Sequence, residues 1–389
     1  MNFKPLDSYL DRFYSEKSIP GVGVAVYRRG RLLHTHAAGF ADVDAKIPFA
    51  EDTLVNLYSA TKISTCSAAL RMAERGEISL DASVSDWLPE FARVRVRTED
   101  GGSVPAKNTM LVRHLFTMSA GLSYDRNTPA LRKLNAETGG NPDTRQYVAA
   151  LAEEPLLFEP GTHYKYSLCH DVLGALLETA AGIPFSEVLR REVFDVVGMP
   201  DTAFRLTDEQ RKRLAPEYHG FDGQTGKARN IVRIEGHGHD CRMESGGGGL
   251  VSCVRDYGRL AATLANRGVT PDGKQLLKSE TVDLMRTNQL EGAALADFGE
   301  MGGWSKAGYG YGLGVRTLID RERNNSLTEN GEFGWDGALG CYLLADPSTG
   351  IGLFYAQQEG GSQWWTWHGT VRNLAVACVI ASDGEDTEG

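Results

Sequence analysis

The chain's 389 residues are 41% hydrophobic and 24% charged, the make-up of a globular protein long enough for one large core or two fused layers. Its 41 basic and 51 acidic residues give a net charge of −10, which repels a phosphate backbone and excludes nucleic acid as an expected partner. The sequence has no apolar run of the roughly 18 residues a membrane-spanning helix needs, and Met1 to Ser8 lack the pattern of a signal peptide. Six cysteines, at 66, 169, 241, 253, 341 and 378, form no C-x-x-C pair. A chain of this size does not need disulfide staples, so buried free thiols in a cytoplasmic protein are expected.

The first predicted element is an amphipathic helix, from the 3-4-3 spacing of Leu6, Tyr9, Leu10, Phe13 and Tyr14. Val22–Tyr27 and Leu32–Thr35 read as two strands around the turn at Arg28–Arg31. From Ser59 to about Leu290 the pattern turns helical. Helices are expected over Lys62–Arg75, Val112–Met118, Asp143–Glu153, Asp171–Ala181, Pro184–Val196 and Val254–Arg267, with loops over Tyr124–Thr144 and Leu290–Gly308. Strands return at Tyr311–Leu318, Gly340–Ala345 and Ile351–Ala356, the last two joined by a turn at Asp346–Gly350. A final helix over Gln363–Ala381 carries Trp364, Trp367, Val371, Leu374 and Cys378 on one stripe, with the tryptophans read as core. The order predicts an α+β fold. Both chain ends close one antiparallel sheet (1–58 with 291–389), the terminal helices cover a face, and a mainly helical region (59–290) is inserted between them.

Three segments carry the chemistry. Ser59 and Lys62 sit three apart at a helix start, which places a hydroxyl and an amine on one face beside the positive end of the helix. A surface helix is the bland alternative. Against it, the following residues are so poor in charge that the helix should be buried, a costly place for a lysine without a task. Pro160–Ser167 places Tyr164 and Tyr166 ahead of the helix starting at Asp171; a Pro-Gly turn packed by tyrosines is the plain reading. Gly334–Ala338 precedes an apolar strand and reads as a strand opening where glycine permits close approach.

In this order and spacing, Ser59-x-x-Lys62, a tyrosine after Pro160-Gly161-Thr162 and a third motif opening a late strand resemble the penicillin-recognising serine hydrolases. Val112–Leu122 and Gly246–Ser252 add weaker matches, and the likeness runs from about residue 18 to 358. Within that superfamily the chain looks most like the class C β-lactamase-related branch, and there like the family VIII carboxylesterases. The resemblance implies a β-lactamase/DD-peptidase-like fold and an acyl-enzyme on Ser59. Lys62 and Tyr166 would share proton transfer, as a close pair in which the cation favours phenolate. The backbone N–H groups of Ser59 and Ala338 would form the oxyanion hole. Trp335, Asp336, Gly337, Tyr164 and Leu168 would line the substrate site.

Where class C enzymes have Y-x-N and K-T-G, this chain reads Tyr166-Ser167-Leu168 and Trp335-Asp336-Gly337. The asparagine that recognises an amide and the cation that binds a carboxylate are missing, which favours short, uncharged esters. An amidase or D-aminopeptidase, a β-lactamase and an acyltransferase of the same fold are the alternatives, and a catalytically silent β-lactam- or muropeptide-binding module is the one from another class. No cofactor or metal is expected. The segment from His237 through His239 and Asp240 to Cys241 has metal-ligand composition but not zinc spacing. Gly220–Lys227 reads as a turn-rich loop and not a phosphate loop, and no G-x-S-x-G elbow occurs. The expected partner is a small ester, with neither nucleic acid nor membrane; the oligomeric state has no readable code.

Overall fold

The computed structural model describes residues 2–233, 241–301 and 306–385. Its centre is an antiparallel sheet of eight strands. Three come from the front of the chain: β1 (Gly21–Arg28), β2 (Arg31–Asp42) and β3 (Ile47–Pro48). Five come from its end: β4 (Tyr309–Tyr311), β5 (Arg316–Leu318), β6 (Phe333–Asp336), β7 (Tyr342–Asp346) and β8 (Ile351–Gln357). In space they run β4-β5-β6-β7-β8-β1-β2-β3, so β1 is zipped to β8, with Val24 opposite Tyr355.

The two-residue period of β1 sorts its side chains between two cores. Val22, Val24 and Val26 face α1 (Lys4–Leu10) and α5 (His368–Glu385), which bring Leu6, Leu10, Val371, Ala375 and Val379. Ala25 and Tyr27 face the other way, toward α4 (Val254–Ala265). Each fully buried valine contributes about 1.5–3 kcal/mol relative to exposure. Between β3 and β4 the chain is mostly helical, around the buried α2 (Thr61–Glu74) and α3 (Cys169–Ala181). No single helix among the described residues is long and apolar enough to cross a membrane.

The expected sheet built from both chain ends and covered by the terminal helices is present. Several local readings need correcting. Tyr311–Leu318 is not one strand: Gly314, at φ +84°, reverses the chain, and the Gly312 N–H donates to the Val315 carbonyl, so the run is split between β4 and β5. The Trp335-Asp336 pair closes β6 instead of opening the next strand. The helical stretch contains the hairpin Glu217–Asp222 with Lys227–Val232, for which Gly223–Gly226 supply the turn. Both expected loops hold helices, Pro129–Thr138 capped by Thr128, and Gly292–Met301. The last helix starts at His368 after a separate turn at Trp364–Thr366, and of the three tryptophans only Trp367 is fully buried, Trp365 being 39% exposed. His237, His239 and Asp240 lie outside the described residues.

Candidate active site

Ser59 stands at the foot of α2, in a single helical turn formed by Tyr58–Ala60. Tyr58 has φ +47°, a left-handed conformation that costs a side-chain-bearing residue energy and is held only by its surroundings. The surroundings are specific. The Tyr58 hydroxyl donates to both oxygens of the buried Glu217, at 2.9 and 3.1 Å, and Asn56 Nδ2 donates to the same carboxylate at 2.8 Å. The hairpin the sequence had hidden therefore anchors the residue before Ser59.

The structure brings Ser59, Lys62 and Tyr166 together. The Tyr166 hydroxyl donates to Ser59 Oγ at 2.6 Å, across 107 residues of chain. Lys62 Nζ donates to the Gly247 carbonyl at 2.6 Å and lies 4.7 Å from the centre of the Tyr166 ring. Lys62 is completely buried, and burial lowers its pKa; Tyr124 and Asp171 pull the other way. Burial pushes the Tyr166 phenol up to about 12, while hydrogen bonds with Ser59 and Trp335 partly offset it. The direction of that shift is away from the phenolate that a close cation would favour.

Packing fixes the phenol. Tyr166 is stacked between Tyr124, at 5.5 Å between ring centres, and Trp335, at 5.6 Å. Trp335 is supported edge-on by Tyr311, and Tyr311 packs on Tyr164. Tyr164 is 4% exposed, and its hydroxyl has no hydrogen-bond partner among the described residues; it sits in this aromatic support and not at Ser59. A hollow of about 650 Å³ opens beside Tyr166, with Leu157, Phe158, His163, Tyr164 and Met301 among its lining residues.

The other residues named from the sequence are placed as follows. Gly337 packs so close to Ser59's chain that a Cβ there would lie 2.3 Å from the Leu57 carbonyl oxygen. Ala338 follows, exposed, and its carbonyl accepts from Trp364 Nε1 at 3.2 Å. Asp336 points into a buried ion cluster, paired with Lys306 and, at 3.0 Å, with Arg316. Burial would raise its pKa, but those two cations outweigh it and hold the carboxyl well below the usual range. Leu168 is fully buried at the start of α3. The side chains of Asp336 and Leu168 are therefore committed to the interior.

Sequence reasoning missed the layer behind these groups. Asp171 is buried and accepts from Ser245 Oγ at 2.5 Å and from the Gly247 N–H at 3.4 Å, holding the turn whose carbonyl receives Lys62. A Cβ on Gly247 would lie 2.6 Å from the Asp171 carboxylate, which explains the glycine run there. Only the position of Asp171, five residues after Tyr166, was a usable signal; nothing in sequence marks Glu217. Among the described residues, groups of His, Cys, Asp and Glu close enough to share a cation lie elsewhere, at Asp7/His34/His36 and at Asp201/Cys253/Asp256. In the second group Asp201 already pairs with Arg213 and Arg255.

Comparison with known proteins places this geometry. A beta-lactamase family model matches residues 6–364. Esterase EstB of Burkholderia gladioli is 30% identical over 370 residues, covering 90% of this chain and 88% of that protein. A lovastatin esterase of Penicillium rubens is 31% identical over 362 residues, 84% of this chain and 86% of its own. The solved structure of EstCE1, described as a hydrolase with promiscuous acyltransferase activity, superposes with a TM-score of 0.76 at 28% identity, covering 97% and 98% of the two chains.

Proposed function

We propose a mechanism from one premise: the chain belongs to the beta-lactamase family and is a serine hydrolase of that fold. Its substrate is a short-chain, uncharged carboxylic ester, and Ser59 is the nucleophile. The observation that carries this reading is the 2.6 Å hydrogen bond between the Tyr166 hydroxyl and Ser59 Oγ, beside a lysine whose pKa burial lowers.

The proton leaves Ser59 as Oγ forms its bond to the acyl carbon. Lys62, as the neutral amine, is the base; the phenol, protonated at neutral pH with a pKa pushed to about 12, passes its own proton to Lys62 as it takes the one from Ser59, and so ends the step protonated. Negative charge collects on the former carbonyl oxygen, facing the backbone N–H groups of Ser59 and Ala338; one such donor contributes about 3–4 kcal/mol to lowering the barrier. The C–O bond to the alcohol then breaks, and the departing alkoxide takes a proton through Tyr166 from Lys62. Water repeats the sequence on the acyl-enzyme and releases the acid. Capture by another alcohol gives acyl transfer through the same intermediate, an outcome the likeness to EstCE1 favours.

Ester preference is supported by what stands at the third motif. Trp335 offers the site an aromatic face, and the lysine nearest to it in the chain's interior, Lys306, is spent on Asp336. The hollow beside Tyr166 sets Leu157, Phe158 and Met301 among the charged Lys165, Asp297 and Glu300, so it offers an apolar wall to a short group within a polar surround. We also read the chain as a sheet region (1–58 with 291–389) and a helical region (59–290), with the site at their junction. A cytoplasmic location accords with six unpaired cysteines. The test is Ser59→Ala: it abolishes p-nitrophenyl butyrate hydrolysis and labelling by a fluorophosphonate. Unchanged turnover refutes the reading.

A further inference from the structure

Far from Ser59, α1 and β2 meet across a cluster to which the mechanism gives no task. Asp7 and Asp11 lie one helical turn apart near the chain's start, and His34 and His36 lie two apart on β2, so their side chains share one face of the sheet. His34 Nε2 is 2.6 Å from Asp7 Oδ1, and His36 Nδ1 is 3.7 Å from the same oxygen. One ligand atom from each of Asp7, His34 and His36 fits within a span of 4.8 Å.

Two features go beyond an ion pair. His36 turns its other nitrogen, Nε2, to Asp11 Oδ1 at 2.8 Å. A carboxylate on the far nitrogen fixes an imidazole's tautomer, leaving the near nitrogen free to donate a lone pair; metal-binding histidines are held in this way. The second imidazole is equally fixed: Phe3 stacks on His34 at 4.4 Å with the planes 2° apart, and the two imidazoles are themselves within 8° of parallel. Two oriented nitrogens and one carboxylate, with side chains between 20% and 26% exposed, remain reachable from solvent. In a chain of net charge −10, two adjacent carboxylates also gain from a cation.

We infer that Asp7, His34 and His36 form a binding site for a divalent cation of the zinc type, with Asp11 as the positioning residue for His36. Nitrogen and oxygen donors in this ratio suit zinc, whose tetrahedral ligands stand roughly 3.3 Å apart given bonds of about 2 Å. The two spacings to Asp7, 2.6 and 3.7 Å, bracket that value, and the His34–His36 pair lies within 4.8 Å. Three protein ligands leave the fourth position to water or a small ligand. The spacing of the sequence concealed the site because its ligands come from two elements 27 residues apart.

The experiment is zinc titration of the full chain, by competition with a chromophoric chelator and, with cobalt as the probe, by the visible bands of a tetrahedral ion. One equivalent is expected to bind. His34→Gln and His36→Gln should abolish that equivalent, and Asp11→Asn, at a 57% exposed side chain, should weaken it about 10- to 100-fold. Ester hydrolysis should be unchanged throughout. Circular dichroism checks the fold of each variant, and Asp11→Asn keeps the test decisive if a histidine variant unfolds. Absence of a bound equivalent overturns the inference. So does binding that survives both histidine substitutions and is lost instead on replacing His237 and His239.

Discussion

Replacing Tyr166 by phenylalanine removes one oxygen and leaves the ring between Tyr124 and Trp335, so the perturbation is nearly confined to the bond with Ser59. At 2.6 Å that bond is at the short end for two hydroxyls. Its loss should cost the fold only about 1 kcal/mol, the net worth of one hydrogen bond, and lower the melting temperature by about 2 °C. Its loss to catalysis should be larger. A positioned proton relay is worth about 10²- to 10⁴-fold, equivalent to roughly 3–5 kcal/mol of barrier. We expect kcat for p-nitrophenyl butyrate to fall by that factor with KM changed less, since the ring that walls the neighbouring hollow stays in place. The pH profile separates the roles. With the phenol pushed to about 12, the rising limb of kcat/KM belongs to Lys62, lowered from the ordinary lysine value, and should persist at reduced amplitude in the variant. A variant with kcat/KM within threefold of wild type, or one whose rising limb has vanished, would falsify the relay.

Asp171→Asn keeps an acceptor for Ser245 but removes the negative charge that holds a proton on Lys62. The rising limb should move to lower pH and kcat should drop about tenfold as the Gly247 turn loosens; a limb that stays put or moves upward contradicts this role. Glu359 is 3% exposed and its carboxyl is pushed up to about 7 by burial, despite accepting from the Gly220 N–H at 2.8 Å. Between its unfolded value near 4.5 and 7 the folded chain holds more protons than the unfolded one, so this group's contribution to stability falls as pH rises through that window. The loss is about 3 kcal/mol. Urea unfolding at pH 5 and pH 8 should show a smaller decline for Glu359→Gln than for wild type, and equal declines would dispose of the argument.

Much of this was legible from residues alone, and the limits have physical causes. Strands such as Val22–Tyr27 and Ile351–Ala356 announce themselves by an uninterrupted β-branched and apolar run, and α2 by the scarcity of charge after Ser59. The pairing Glu217–Asp222 with Lys227–Val232 was hidden because its strands are half exposed and carry mixed polar residues, with periodicity too weak to outweigh a glycine-rich turn. Tyr311–Leu318 misled for the opposite reason: its composition is strand-like throughout, while the reversal at Gly314 is held by contacts with distant residues, the Leu313 N–H donating to the Met285 carbonyl and Gly314 packing against Cys66. At the candidate site, Ser59, Lys62 and Tyr166 carry local patterns. Glu217 acts through a contact made across more than a hundred residues and Tyr124 through a shorter but still non-local one, and neither leaves a local trace; Gly247 is reached across more than a hundred residues too, but lies in the glycine run the sequence did show.

The strand order has a bearing on how the protein comes into being. Once the ribosome has released the hairpin of β1 and β2, the hydrogen-bonding edge of β1 away from β2 must wait for residues 351–357, more than three hundred positions later, before it gains a neighbour. Until then a sticky, hydrogen-bond-hungry border stays open on the nascent chain, inviting chaperones or self-association. On the proposed mechanism, Ser59 likewise waits until late in translation for its second oxyanion donor, the backbone N–H of Ala338.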